Sequence, residues 1–293
     1  TTSLSFIGPI IRALFEHGSM RLMNRLTFTE GKTMAIIVEG RVMTFILMVL
    51  TFVAMYYYMS INKDEEYTIR SLPAMEAIPE AVGRAAEMGQ PVFWTPGISG
   101  SLNDSSQGPQ VLAAISILEY VTEECAKAGV HIQTVVPLPD ALPLIEETMR
   151  TAYLRQGKPE EFNLDQITFI SQQSPYLSGV LGYFQRAKPA STILTGGFYY
   201  EAVVIGEAGN TIGAMQIGGT NNTHQLPFLV ATCDYMLLAE EFYAAGAAIS
   251  RNRDMLGAIK GEDMIKLLLI AIIGIGFILG AVGITVLADI LGV

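Results

Sequence analysis

The chain has 293 residues, 51% of them hydrophobic and 16% charged, with a formal net charge of −10. Between Ile61 and Lys266 there are 13 Lys+Arg against 24 Asp+Glu, and no basic cluster that could release counterions from a polyanion, so nucleic acid is not expected as a partner. The length allows one large or two modest domains, and the apolar content is high for a wholly water-exposed fold.

Residues 1–41 read as an amphipathic N-terminal arm: Leu4, Ile7, Ile10, Ile11, Leu14 and Phe15 recur at helical spacing, with Arg12, Glu16 and His17 between them. Residues 42–62 and 267–288 carry no charge, and about 20 such residues suffice to cross a hydrocarbon core as a helix. They are read as two transmembrane helices, the first ending in Tyr56-Tyr57-Tyr58, as in an aromatic belt. In the second, Gly276, Gly280 and Gly283 form a small-residue face, Gly276 and Gly280 at small-xxx-small spacing, read as an oligomerisation surface.

Residues 63–89 form a linker helix, with Met75, Ile78, Val82 and Ala86 on one face and Gly89 as its stop. Residues 90–250 form the main domain, and 251–266 lead back to the membrane. Within the domain, short apolar strands are read at Pro91 to Gly97, Val130 to Val136, Ile167 to Ile170, Thr192 to Leu194 and Ala214 to Ile217, all but the third leading into a glycine or proline turn. Helix-like runs separate them, the last extending from Leu226 to Ser250. This alternation predicts an α/β fold with a Rossmann-like, doubly wound, mostly parallel sheet, inserted between the two transmembrane helices.

In such a sheet, ligands sit beyond the carboxyl ends of the strands, where backbone N–H groups and helix N-termini hold anions. The loops there nominate Thr95, Gly97, Gly100, Gly196, Gly197, Gly219, Thr220 and His224 as ligand-binding candidates. None of the loops is a P-loop or a dinucleotide fingerprint, so the glycines also fit plain tight turns. A hydrolase reading would pair Ser99, Ser101 or Ser105 with His224, oriented by Asp234 or Glu201; helix capping by the Asn221-Asn222-Thr223 cluster is the simpler account. Cys125 and Cys233 lie in apolar runs, and His17, His131 and His224 are scattered without ligand spacing. No metal, cofactor or complete catalytic set is therefore expected.

Three stretches, LPAMEAIPEAVGRAAEMGQPVFWTPG, GAMQIGGTNNTHQLPFLVATCDYMLLAEEFYAAGAAIS and GAIKGEDMIKLLL, resemble a family of uncharacterised bacterial and archaeal membrane proteins known as a domain of unknown function. The resemblance runs from Leu72 to about Leu269 and implies a membrane-anchored α/β domain without assigning any residue a role. The arm from Thr1 to Thr33 lies outside it.

Basic residues near the spans favour a cytoplasmic domain, whereas the acidic domain and the sequons at Asn103 and Asn221 fit the opposite side. The expected role is a scaffold in the cell membrane that contacts lipid and builds a homo-oligomer or larger membrane complex. The alternatives are a small-ligand or nucleotide-binding sensor and a membrane-bound hydrolase.

Overall fold

The computed structural model describes residues 42–60, 71–171, 173–250 and 253–281. The N-terminal arm, the first residues of the expected 63–89 linker helix, the end of the second apolar segment and Gly283 lie outside the described residues. The chain divides into two units, one of Thr1–Ala54 with Met264–Val293 and one of Met55–Asp263. Among the described residues there are nine α-helices and six strands.

The unit of Met55–Asp263 is an α/β domain. Its elements run α2 (Pro73–Met88), β1 (Val92–Gly97), α3 (Gly108–Ala128), β2 (Ile132–Val136), α4 (Leu142–Arg155), β3 (Ile167–Phe169), α5 (Gln173–Ala187), β4 (Ser191–Gly197), α6 (Glu201–Ile212), β5 (Met215–Thr220), α7 (Leu226–Thr232), β6 (Tyr235–Leu238) and α8 (Glu240–Ser250). All pairings are parallel, in the order β3-β2-β1-β4-β5-β6. The order reverses between β1 and β4, which makes that junction the topological switch point of a doubly wound sheet.

Successive strand residues point to opposite faces, and Phe93 and Trp94 show the division. Trp94 joins a core with Ile78, Ile117, Leu118, Ile145 and Phe242, contributed by α2, α3, α4 and α8. Phe93 joins a smaller one with Tyr176, Phe184, Phe198, Ile205 and Leu229, contributed by α5, α6 and α7 and the strand ends. Both rings are fully buried. The crossover helices thus cover both faces, which parallel strands buried along their whole length require.

Helix ends follow local chemistry. Pro73 occupies the first turn of α2, where its missing N–H is not needed, and Gly89 closes the helix at φ 62° with its N–H returned to Ala85 and Ala86 carbonyls.

The long helix expected from Leu226 to Ser250 is instead α7, β6 and α8. Cys233 and Asp234 break it: the Asp234 carboxylate accepts the Gln216 backbone N–H at 2.8 Å, and the Asp234 N–H donates to the Gln216 carbonyl at 2.9 Å. The following tetrapeptide therefore extends beside β5. It ends at Ala239, φ 47°, whose N–H is held by the Thr220 carbonyl.

Two further helices carry most of the exposed apolar surface. In α1 (Val42–Ser60) Phe52, Val53 and Tyr56 are 66%, 61% and 70% exposed. In α9 (Arg253–Ala281) Leu267, Ile270, Ile273, Phe277 and Ile278 are all at least 61% exposed. Near its start, α9 has Gly257, where an added Cβ would stand 2.9 Å from the Tyr58 carbonyl oxygen, and the Lys260 ammonium lies 5.8 Å from the centre of the Tyr58 ring. That close approach is possible because residue 257 is glycine.

Among the described residues no helix is long and apolar enough to cross a membrane. Described side chains in α1 begin at Phe45 and those in α9 stop at Ile278, after a first half that holds Asp254, Lys260, Glu262, Asp263 and Lys266.

Candidate functional site

The switch point is closed by the backbone. Gly97, at φ 72°, lies so near Gly197 that a Cβ would overlap the Gly197 carbonyl; one on Gly196, at φ 134°, would overlap the Pro96 carbonyl, and one on Gly197 would overlap that of Ser99. The Ser99 N–H donates to the Gly197 carbonyl at 2.8 Å, making a short antiparallel bridge beyond the strand ends. These glycines let two chains touch, and β1 and β4 continue into each other's loops where a dinucleotide fold opens a crevice. Gly100, at φ 123°, faces Val111, and Gly219 faces Phe242, each with 2.9 Å to the would-be Cβ.

The threonines among the candidates are also engaged inside the fold. Thr95 donates to the Val135 carbonyl at 2.8 Å and so receives the Tyr176 hydroxyl at 2.8 Å. Thr220 accepts from Gln110 Nε2 at 3.1 Å and from the Asn222 N–H at 3.1 Å. Both threonines are fully buried.

The residues of the hydrolase reading are held apart. The Ser99 hydroxyl donates to Gln107 Oε1 at 3.2 Å and lies 3.4 Å from the Tyr199 hydroxyl. Ser101 donates to Asp140 at 2.6 Å, and the Leu102 N–H donates to the same carboxylate oxygen at 2.7 Å. Those bonds hold the Asp140 carboxyl below its ordinary value, the Ser101 bond most, with partial desolvation opposing. Ser105 and His224 are exposed, His224 bonding Asn222 through its backbone N–H. Asp234 is committed to Gln216. No Ser-His-Asp relay is formed by these groups.

Both thiols are held away from the ionised form. Burial raises the Cys125 thiol far above its usual value and pushes Cys233 up to about 12, and the thiolate is the reactive form. Among the described residues no group of three or more His, Cys, Asp or Glu could hold a metal ion.

One cluster differs from these satisfied groups. Beyond β4 the chain turns through Phe198, Tyr199 and Tyr200 into α6. The Phe198 N–H donates to Gln225 Oε1 at 2.7 Å and the Tyr199 N–H to Glu201 Oε2 at 3.1 Å. Gln225, just before α7, is 3% exposed and Glu201 is fully buried. The second polar atom of each, Gln225 Nε2 and Glu201 Oε1, is buried with no hydrogen-bond partner.

Because the Phe198 amide needs an acceptor, it fixes the Gln225 amide with Nε2 as the unused donor. Glu201 also places negative charge at the N-terminus of α6, where it complements the helix dipole. An anion approaching that terminus meets a carboxylate. Tyr176 belongs to the same neighbourhood: burial, and to a smaller extent the Glu201 charge, raise its hydroxyl well above the ordinary phenol value.

Glu201 was visible in the sequence only as an acid near His224, and Gln225 carried no local signal. Glu201 bonds the amide two residues before it, whereas Gln225 reaches the Phe198 amide from 27 residues along the chain, which only the packing of α7 beside the end of β4 reveals.

The fold and its strand order define a Rossmann-like α/β protein with its switch point closed. The chain belongs to the family described as a domain of unknown function, DUF6754, whose family model matches residues 32–291. No curated protein and no solved structure matches it.

Proposed function

We propose that this protein is a membrane-anchored scaffold whose α/β domain is carried on two apolar helices and assembles with further copies of itself. The observation that supports it best is the exposure of α9: Leu267, Ile270, Ile273, Phe277 and Ile278 are each more than three-fifths exposed. Burying a large apolar side chain is worth roughly 1.5–3 kcal/mol, so five in 12 residues need a covering phase. The uncharged sequence continues from Leu267 to Ala288; as a helix those 22 residues would reach roughly 33 Å, the scale of a hydrocarbon core.

Leu269, Ile272 and Gly276 form a less exposed stripe on α9, spaced to lie on one helical face. In lipid that stripe is the natural contact for a neighbouring helix, and the remaining circumference meets acyl chains or a second copy. The packed loops at the switch point, with neither an assembled relay nor a thiolate, favour a scaffold over a hydrolase.

Floating vesicles that carry the full chain through a density gradient, after an alkaline carbonate wash, tests the anchoring. Retention with the lipid is the expected outcome. Recovery of folded protein in the carbonate supernatant would remove the membrane reading. In the same assay, an Ile273→Asp/Phe277→Asp double variant is expected to lose most of its retention.

A further inference from the structure

We infer that the outer edge of β3 pairs with the same edge of a second copy, antiparallel about a two-fold axis at Phe169, so that two domains share one continuous sheet. This deepens the scaffold reading and rests on it. Every residue of β1, β2, β4 and β5 is buried, and no residue of β3 is. β3 begins the strand order, with β2 on one side and no strand among the described residues on the other. The Ile170 N–H donates to the Val136 carbonyl, which turns residue 170 towards β2. Backbone direction alternates along a strand, so the N–H and C=O of Phe169 face outwards. An open edge is a template for another strand, and proteins that avoid such pairing blunt it with lysine, proline or a bulge. Ile167-Thr168-Phe169 has none of these, and the Phe169 side chain is exposed.

The Ile167 N–H is already returned to the Leu164 carbonyl, which leaves Phe169 as the strand residue to exchange both bonds with its own copy. With the axis there, the partner's Asp165 comes opposite Gln173, where α5 begins. The first turn of α5 holds no acid of its own, and a carboxylate complements the positive end of a helix. A parallel pairing in register would instead set Asp165 beside Asp165, and like charges directly opposed are destabilising. The anchors agree with the same axis. Ile78 of α2 and Phe242 of α8 pack in the core on the Trp94 side of the sheet, and these helices connect the domain along the chain to α1 and α9. An axis relating antiparallel edges runs through the sheet from face to face, so these connections leave from the same face in both copies, as one membrane requires. A pairing this short is marginal alone, and it forms where α9 already holds copies at high effective concentration.

The test uses the full chain in native membrane discs, with Phe169→Cys as reporter. The Cα atoms of a hydrogen-bonded antiparallel pair stand about 5.5 Å apart, inside the reach of a disulfide, so mild oxidation should convert most of the chain to a covalent dimer. The wild-type chain, with Cys125 buried and Cys233 half-buried, should give none. Neither should Leu238→Cys, at a similarly exposed position on the opposite edge of the sheet. Gln173→Glu favours its own helix but faces the partner's Asp165, so adding it to Phe169→Cys should slow cross-linking about threefold.

Light scattering on the same discs separates this pairing from the reading it rests on. Particles of several chains in which Phe169→Cys gives no dimer, or cross-links no faster than Leu238→Cys, would overturn the edge pairing and leave the scaffold standing. An unchanged rate with Gln173→Glu would overturn the antiparallel register, and a covalent adduct with a different protein would give the edge to another partner. Particles of a single chain would remove the pairing and the scaffold together.

Discussion

Phe93 and Phe277 are the same residue type in the two units of one chain, and they are fully buried and 79% exposed respectively. Around Phe93 the fold supplies every neighbour: Phe184 packs edge-on at 4.9 Å between ring centres, and Tyr183 lies at 5.7 Å. Around Phe277 it does not. The difference teaches that apolar content alone does not say what a segment packs against. In the domain it closes a core, and in α9 it stays exposed.

The largest effect expected within the domain comes from Gly197→Val. Its side chain would enter the Ser99 backbone rather than a movable side chain, and the loss should exceed about 4 kcal/mol, the range reached when packing fails outright. A circular-dichroism melt of the variant should show no cooperative domain transition. A melt within a few degrees of wild type would mean that the switch-point loops are not packed as described.

Two alanine variants separate the two regions. Phe93→Ala should cost about 3–5 kcal/mol, the usual range for a buried phenylalanine, whereas Phe277→Ala should change domain stability in detergent by less than about 0.5 kcal/mol. Chemical denaturation monitored at Trp94, which is buried in the domain, reads both. Equal losses would show that the two regions are not independent.

A smaller effect is expected at Asp140, which pins the loop after β1. Asp140→Asn keeps the shape but loses the charge-assisted bonds to Ser101 and Leu102, at roughly 1–2 kcal/mol, reduced by the solvent access of this half-buried group. Its folded carboxyl sits below the ordinary aspartate value of 3.8. The contribution is therefore present above that value and lost as pH falls through the lower folded value. Thermal melts between pH 5 and pH 2.5 should show a steeper acid decline in wild type than in the variant. Smallest of all, Arg155→Ala removes exposed ion pairs to Glu119 and Glu123 and should cost less than about 1 kcal/mol, with high salt erasing the difference.

Much of the sheet was legible because its strands announce their ends. Val92 to Gly97, Ile132 to Val136 and Met215 to Thr220 are short apolar runs closed by glycine, proline or a polar turn, and such punctuation is local chemistry. The sixth strand was not legible. From Leu226 to Ser250 the chain has no proline beyond Pro227 and no glycine before Gly246; β6 is cut out by Asp234 reaching Gln216 and by Ala239 adopting a left-handed conformation.

The glycines at the strand ends were legible as turns. Their role in letting β1 and β4 touch depends on which strands are neighbours, a fact of topology. Of the residues at the turn into α6, Glu201 could be read as an acid able to orient His224, but its unpartnered oxygen could not, because that depends on what α5, α6 and α7 place around it. Gly280 and Gly283 lie where no side-chain surroundings are described, so the small-residue face of the second apolar segment rests on the sequence and on Gly276.

The central claim, a scaffold that assembles through apolar helices, is tested most directly by the mass of the particle extracted in mild detergent or native membrane discs, with detergent and lipid subtracted by light scattering. The account predicts a discrete symmetric assembly of several 31.8 kDa chains, lost in a Leu269→Asp/Gly276→Asp variant whose domain still melts normally. A monodisperse particle of one chain, at concentrations well above those in the membrane, would contradict it.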